Sequence, residues 1–416
     1  MYISEGIPFG FTSIAMIAFM RRAGLTLEQI GIASAALFLP WAFKWLIAPL
    51  VDLIRLHRFG GRKAWIVFCT TMMIITLLVT AALDLAADFQ LLVAVIVLNN
   101  FFTATQDVAI DALAISVLKE DERGRANGFM FGGQYLGIAL GGGGAIFVFG
   151  AYGFNVSLMY VSMALFLNLL FILFFVKDPH VQVTKVTIQT NVLQRFFKEL
   201  RDFCIDVYES FLKSGRSPKL GIVYALLPFA PFALSYATLS TIQIDYGFSD
   251  NEVAELTTLA TIAGGIGCLI GGFLGDRFGI RKVLGTACVA SAIPTLILAL
   301  QISDVGLESV SPDLFRGTLL AYSVIFGMAF ALSIAVFMGL TNPIVAATQF
   351  TAFMGIKNLT ISYTNYWQGI VAERMDYAVV LYLDSVLLLI PLMVLPFLKS
   401  RQEQGLDLAE NPVRAN

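Results

Sequence analysis

The sequence predicts an all-α integral membrane protein of twelve transmembrane helices, built as two six-helix halves related by an internal repeat, with both termini cytoplasmic. Three observations predict it. Of 416 residues, 58% are hydrophobic and 13% charged, whereas an ordinary soluble domain carries about 25% charged residues. The charges are clustered, and the apolar runs between them are long enough to cross a hydrocarbon core of about 30 Å as helix. Sequence elements of the first half also recur in the second at a nearly constant offset.

Taken in order, span 1 covers residues 3–20. Span 2 (29–51) ends in Ala48-Pro49-Leu50-Val51-Asp52, and span 3 (64–86) opens behind Gly60-Gly61-Arg62-Lys63. Span 4 (90–118) carries Asp107 and Asp111 and runs into Lys119. Span 5 (127–149) repeats Gly133, Gly137 and Gly141, and span 6 (154–176) closes the first half. Spans 7 (219–241), 8 (254–275), 9 (282–302), 10 (315–340), 11 (344–370) and 12 (377–398) form the second. The halves are therefore 1–176 and 219–400, joined by a cytoplasmic linker at 177–218 and followed by a tail at 401–416. In the linker, Leu193, Phe196, Phe197, Leu200, Phe203, Val207 and Phe211 recur at helical spacing beside Arg195, Lys198 and Arg201. That pattern fits a helix lying on the inner membrane face, or one packed beneath the bundle.

Orientation follows from the basic residues, which are retained on the cytoplasmic side. The segments expected inside hold Arg55, Arg58, Arg62, Lys63, Lys119, Arg123, Arg125, Arg277, Arg281, Lys282 and the basic residues from Lys177 to Lys219. Those expected outside hold Arg21, Arg22, Arg316 and Arg374 beside Asp245, Asp250, Glu252, Asp304, Glu308 and Asp313. Met1 lies almost directly in span 1 with no basic residue before it, which reads as a late start. Cys69, Cys204, Cys268 and Cys288 show no paired spacing, and His57 and His180 are loop residues, so no disulfide framework, metal site or cofactor is expected. No nucleic-acid partner is implied. No loop shows a nucleophile–base spacing or a phosphate cradle, so the chain does not read as an enzyme.

The repeat is visible in two places. Ala48 to Asp52 with Gly60 to Lys63 parallels Gly272-Phe-Leu-Gly-Asp276-Arg277-Phe-Gly279-Ile-Arg281-Lys282 at an offset of 224, and Leu118 to Asn127 can be laid on Leu340 to Gln349 at an offset of 222. Duplicated halves point to alternating access. The Gly272 to Lys282 segment resembles the inner-loop signature of the major facilitator superfamily. That resemblance assigns conformational gating to Asp52, Arg62, Lys63, Asp276, Arg277 and Arg281, with each aspartate facing a helix N-terminus. An anion beside the positive end of a partly buried helix dipole gains up to about 2 kcal/mol, and Asn342-Pro343, with proline at a favoured first position, is the expected partner of Asp52. The first copy has Ala48 for the glycine and the insertion Leu53 to Phe59. A basic loop that merely sets topology is the other reading. The glycine stripes Gly133-Gly137-Gly141 and Gly267-Gly271-Gly275 allow close helix approach; in the superfamily spans 5 and 8 meet across the halves, and the stripes are read as those surfaces.

A charge inside the hydrocarbon costs about 2.5 kcal/mol or more and normally faces a cavity or a partner. Glu5, Lys44, Asp107, Asp111, Lys357 and Asp384 qualify. Asp107 and Asp111 share a helix face and lie about 18 and 12 Å inward from Lys119. Lys44, eight residues before Asp52, is about 12 Å deep, the level of Asp111, so a Lys44–Asp111 ion pair is expected. Asp107, helped by Asp111 and Glu5, is then left to carry a coupled proton. Lys357 lies about 21 Å from Pro343, near midplane, amid Asn358, Tyr363, Asn365, Tyr366, Trp367 and Gln368, and its repeat counterpart is Tyr135. It suits an anionic group on a substrate, read further by Asn358, Tyr135, Gln134, Gln106, Tyr363 and Trp367; pairing with Asp107 or Glu5 is the alternative. Asp384 reads as structural.

Leu39-Pro40-Trp41-Ala42-Phe43-Lys44-Trp45-Leu46-Ile47-Ala48-Pro49-Leu50-Val51-Asp52 and Ala104-Thr105-Gln106-Asp107-Val108-Ala109-Ile110-Asp111-Ala112, followed by Glu122-Arg123-Gly124, are similar to the AmpG-type permeases. Ala347-Thr348-Gln349-Phe350 extends the likeness into span 11. The resemblance implies a proton symporter that imports anhydro-muropeptides across the bacterial inner membrane, with acetyl-coenzyme A or siderophore carriers as related alternatives and a non-transporting sensor as another. Its partners would be a small-molecule substrate, protons and the lipid bilayer, and its expected state is a monomer. The chain departs from that family in having Tyr135 where a basic residue tends to precede the span 5 glycine.

Overall fold

The computed structural model describes residues 1–53, 61–117, 123–176, 192–213, 216–227, 234, 236–341 and 346–398, which form helices and no strand. Nine helices among these residues are long and apolar enough to cross a membrane, from Tyr2–Arg22 to Tyr377–Phe397, and they coincide with spans 1, 3, 4, 5, 6, 8, 9, 10 and 12. Spans 2, 7 and 11 fall on other helices. Span 2 is split into Leu27–Ala42 and Lys44–Leu53, the described helices of span 7 are Arg216–Leu226 and Tyr236–Asp245, and span 11 is the 29-residue helix Ala346–Arg374. Span 11 is made polar by Gln349, Lys357, Asn358, Asn365 and Gln368, most of them buried. An ionisable side chain inside the membrane is a functional candidate, while amides there also bond neighbouring helices.

Local chemistry sets the helix starts at the expected outer end. Thr26 and Gln29 form a reciprocal capping box at the head of span 2, and Ser249 and Glu252 form another at span 8. Ser311 caps span 10, whose first residue is Pro312. Large apolar side chains such as Leu269, Phe174 and Met393 point outward, as a lipid-solvated surface requires.

The glycine stripes pack differently from the expectation. A Cβ at Gly137 or Gly141 would collide with the backbone of Ile3 or Ile7 on span 1, and one at Gly267 or Gly271 with Val324 or Met328 on span 10. Both stripes therefore weld helices inside one half, where backbones touch without side chains between them. Spans 5 and 8 do meet across the halves, but through another face: Gly143 against Ala254 and Thr258, Gly150 against Asp250, and Tyr135 against Gly265. The other seam between halves joins spans 2 and 11. There Gly31 and Gly369 touch, with 2.8 Å from an added Gly31 Cβ to the Gly369 Cα, and Ser362 Oγ donates to the Ala35 carbonyl at 2.8 Å.

The two halves also repeat one contact. Lys63 Nζ donates to the Leu173 carbonyl near the end of span 6, and Arg281 Nη1 to the Leu398 carbonyl at the end of span 12, at 2.8 and 3.2 Å. Cations at helix C-termini satisfy open carbonyls and the negative dipole end. The linker helix Val192–Lys213 packs Phe211 edge-on against Phe353, with ring centroids 5.2 Å apart, while Phe197, Ile205 and Tyr208 stay exposed beside Lys198 and Arg201.

Candidate functional site

Inside the first half, three spans bring ionisable side chains together, and a fourth adds an amide. Lys44 Nζ lies 2.7 Å from Asp107 Oδ2. Tyr2 donates its hydroxyl to Asp111 Oδ1 at 2.7 Å, and Gln134 donates to Glu5 Oε1 at 2.6 Å. Glu5 is 2% and Asp107 5% exposed. The second Glu5 oxygen, Oε2, is buried with no donor, and the Glu5 and Asp107 carboxyl groups lie within hydrogen-bonding reach of each other. Two carboxylates cannot hydrogen-bond each other, so this contact forms a bond only when one of them holds a proton.

The expected Lys44–Asp111 pair is thus corrected to Lys44–Asp107. Span 2 is interrupted at Phe43, with φ −104° and ψ 13°, behind Pro40. Lys44 opens the next helix segment and is re-aimed, so that a straight-helix depth count from Asp52 misplaces it. Asp111, left without the lysine, takes Tyr2. Tyr2 was missed by sequence reasoning, although it lies three residues before Glu5 on one helix face.

A second polar group sits between the halves. Lys357, 4% exposed, donates to Ser333 Oγ at 3.0 Å and lies 4.1 Å from the Phe330 ring centroid, a close cation–π contact. Tyr135 of span 5 and Cys268 of span 8 are 3.2 Å apart, hydroxyl to thiol. Tyr236, whose φ of 49° is the one positive value outside glycine among the described residues, packs on Phe9 and Phe38. Such a backbone is strained, and it heads the second segment of span 7. Cys268, Phe330, Ser333 and Tyr236 were not foreseen; single polar or aromatic residues in an apolar run leave no spacing signal.

Other expected substrate contacts are placed elsewhere. Gln106 is buried and donates to Thr70 of span 3 at 2.6 Å. Tyr363 is partly exposed and donates to the Leu226 carbonyl at 2.5 Å. Asn358 donates to the Trp41 carbonyl of span 2 at 3.2 Å, and Trp367 is partly buried. Gln134 serves Glu5. Asp384 accepts from Gln368 at 3.3 Å. Of the gating set, Asp276 is exposed and Arg277 stacks over Phe278 with 5.4 Å to the ring centroid, while Arg62 is the first residue of the Arg62–Thr80 helix. The Asp52 side chain and Asn342-Pro343 lie outside the described residues.

At the expected outer end the halves are joined by charge. Arg21 makes a two-pronged pair with Asp245, 2.7 Å at each contact, and Tyr377 donates to the same carboxylate at 2.6 Å. Arg22 holds Asp250 at 2.8 Å and also the Phe248 carbonyl, while the Leu27 N–H donates to Glu373 at 2.7 Å. Parallel bonds from one guanidinium to a carboxylate are the strong form of ion pair.

Helices long enough to cross a membrane, two seams and a polar centre describe a known architecture, and a family model settles which. The model of the Major Facilitator Superfamily matches residues 1–236 and 220–405. The chain belongs to the major facilitator superfamily. Among its relatives, the anhydromuropeptide permease of Escherichia coli (strain K12) is 25% identical over 397 residues, covering 94% of this chain and 77% of that one. The putative transporter AmpG 4 of Rickettsia conorii is 22% identical, covering 96% and 95%. The AmpG-type likeness expected from spans 2 and 4 therefore extends along the chain. Among solved structures, the inward-open xylose transporter XylE from E. coli has a TM-score of 0.72 at 11% identity, covering 98% of both chains, which shows the fold. This member of the superfamily is an integral membrane transporter and not an enzyme.

Proposed function

We propose that this transporter is a proton-coupled importer of an anionic, muropeptide-like organic solute, working by alternating access in the bacterial inner membrane. Its two halves, 1–176 and 219–400, would each contribute six spans, the linker at 177–218 and the tail at 401–416 would lie with both termini in the cytoplasm, and the unit would be a monomer.

The observation that carries the reading is the Glu5–Asp107–Asp111–Lys44 cluster. Three carboxyl side chains face one ammonium. Ionising all of them at once would bury uncompensated negative charge in a low-dielectric site. One proton shared between Glu5 and Asp107 relieves this and satisfies Glu5 Oε2. When the cluster opens to the other compartment, water can solvate the ionised pair and the proton leaves. Proton binding is thereby tied to which side is open, as coupling requires. Relative to the sequence expectation, the carrier becomes the Glu5–Asp107 pair, with Asp111 held by Tyr2.

Lys357 supports the anion reading. Its ammonium sits against Ser333 and Phe330 and within electrostatic reach of Cys268, which meets Tyr135 of the other half, where a carboxylate or phosphate on the solute can be taken up. The permease relative supports the muropeptide class, while Tyr135 in place of a basic residue alters how that solute would be read. Gating by Asp52, Arg62, Lys63, Asp276, Arg277 and Arg281 stays part of the proposal.

The test is uptake into proteoliposomes, with an imposed pH gradient on or off, across muropeptides, siderophores and acyl-coenzyme A. Gradient-stimulated uptake of a muropeptide, lost in Lys357→Ala, is the expected result. Uptake of any of these solutes at a rate indifferent to the gradient would remove the coupling, and uptake unaffected by Lys357→Ala would remove the anion receptor.

A further inference from the structure

Asn358 was expected to touch substrate, and the structure turns it the other way. Its Nδ2 donates across the seam to the Trp41 carbonyl at 3.2 Å. Trp41 lies two residues before the interruption at Phe43, and Lys44, the first residue beyond it, holds Asp107 at 2.7 Å. One turn along the same helix from Asn358, a Cβ on Gly355 would sit 2.8 Å from the Ala42 carbonyl and 3.3 Å from the Trp45 ring. Span 11 therefore rests its backbone on the interruption of span 2 and ties one of its carbonyls. A cavity of about 310 Å³ opens beside that contact, lined by Phe43, Trp45 and Ile356 among others, so the interruption has room to rearrange.

We infer that Asn358 is a positioning residue that links the substrate-bearing helix of the second half to the proton cluster of the first. The chain of contacts is short. Lys357, next in sequence, faces Ser333 and Phe330 of span 10, while Asn358 faces span 2. Motion of span 11 as Lys357 takes or releases a solute pulls on the Trp41 carbonyl. The Trp41 ring lies 5.8 Å from Lys44 Nζ, and its indole N–H is held by Asn100 at 3.2 Å. A change in the turn at Ala42–Phe43 therefore re-aims the ammonium that balances Asp107, Asp111 and Glu5. This inference rests on the proton-cluster reading above.

The experiment needs no solute. In full-length protein with Trp45, Trp65 and Trp367 replaced by Phe, the fluorescence of Trp41 is titrated with pH. The groups facing Lys44 are Asp107, Asp111 and Glu5, with Tyr2 on Asp111, and they set the transition. Asn358→Leu is expected to move its midpoint by about half a pH unit or more, since a net hydrogen-bond energy of about 1 kcal/mol equals most of one pH unit. Asn358→Gln, which keeps the donor, should restore the midpoint, and Ser362→Ala, which loosens the same seam, should leave it in place. Should the Leu variant fail to fold, Asn358→Ala takes its role. A midpoint unchanged in the donor-less variant, or moved equally by Ser362→Ala, overturns the link while leaving the cluster standing. A transition absent from the parent, or one that persists unaltered in Asp107→Asn, overturns the cluster and the link together.

Discussion

Glu5 Oε2 is the most informative atom in the molecule, because a buried carboxyl oxygen with no donor is costly unless a proton is present. Asp107 is the neighbour it would share that proton with, and Lys44 is the cation that keeps the shared site from carrying excess charge. Replacing either acid by its amide removes the proton and keeps the shape. Glu5→Gln and Asp107→Asn are each expected to abolish gradient-driven accumulation while leaving solute exchange across the vesicle within about twofold of the parent, since a coupled step is lost and a binding step is not. A pair of uptake and counterflow assays checks this; accumulation that survives both substitutions would sink the assignment. The pairing itself was only half legible. Asp107 and Asp111 stand out as two acids four apart, but their partners depend on where neighbouring helices break, and Pro40 alone does not say that the break falls at Phe43. Gln106 shows the same limit: adjacent to Asp107 in sequence, it points about 100° away around the helix and bonds Thr70.

At the scale of helices, what sequence made legible was length and smallness. The apolar runs predicted the spans, and glycines at every fourth position predicted close approach, but spacing cannot say which neighbour fills the groove. Gly137 and Gly141 face span 1, while the signature glycine Gly272 has nothing within 4 Å of an added Cβ. This yields a contrast. Gly137→Val should destabilise the first half by about 1–3 kcal/mol through overpacking, whereas Gly272→Ala should stay within about 0.5 kcal/mol, both read as unfolding midpoints in detergent. Equal effects at the two positions would contradict the packing described. Spans 2 and 11 carry a weaker apolar signal for a physical reason: the one is interrupted at Phe43 and the other buries Gln349, Asn365 and Gln368 beside Lys357.

For the whole molecule, the Arg21–Asp245–Tyr377 and Arg22–Asp250 contacts join the halves at one end. Closure there has to be undone for the halves to rock apart. Removing one partner should favour the opposite state by about 1 kcal/mol, roughly a fivefold change in population. Spin labels at the exposed positions Ala23 and Glu308, placed in a cysteine-free chain, report that opening. Arg21→Ala and Asp245→Asn should each raise the long-distance fraction, and together should raise it no further than either alone. An unchanged distance distribution in all three would show that the pairs do not hold the closed end.

Coupling between solute and proton is the central claim, and proton movement measured directly tests it best. Vesicles with no imposed gradient, holding a pH dye outside, receive the transported solute: alkalinisation of the medium that follows solute entry, and vanishes in Glu5→Gln and Asp107→Asn, is the predicted result. Solute entry with no proton movement in the parent protein would contradict it.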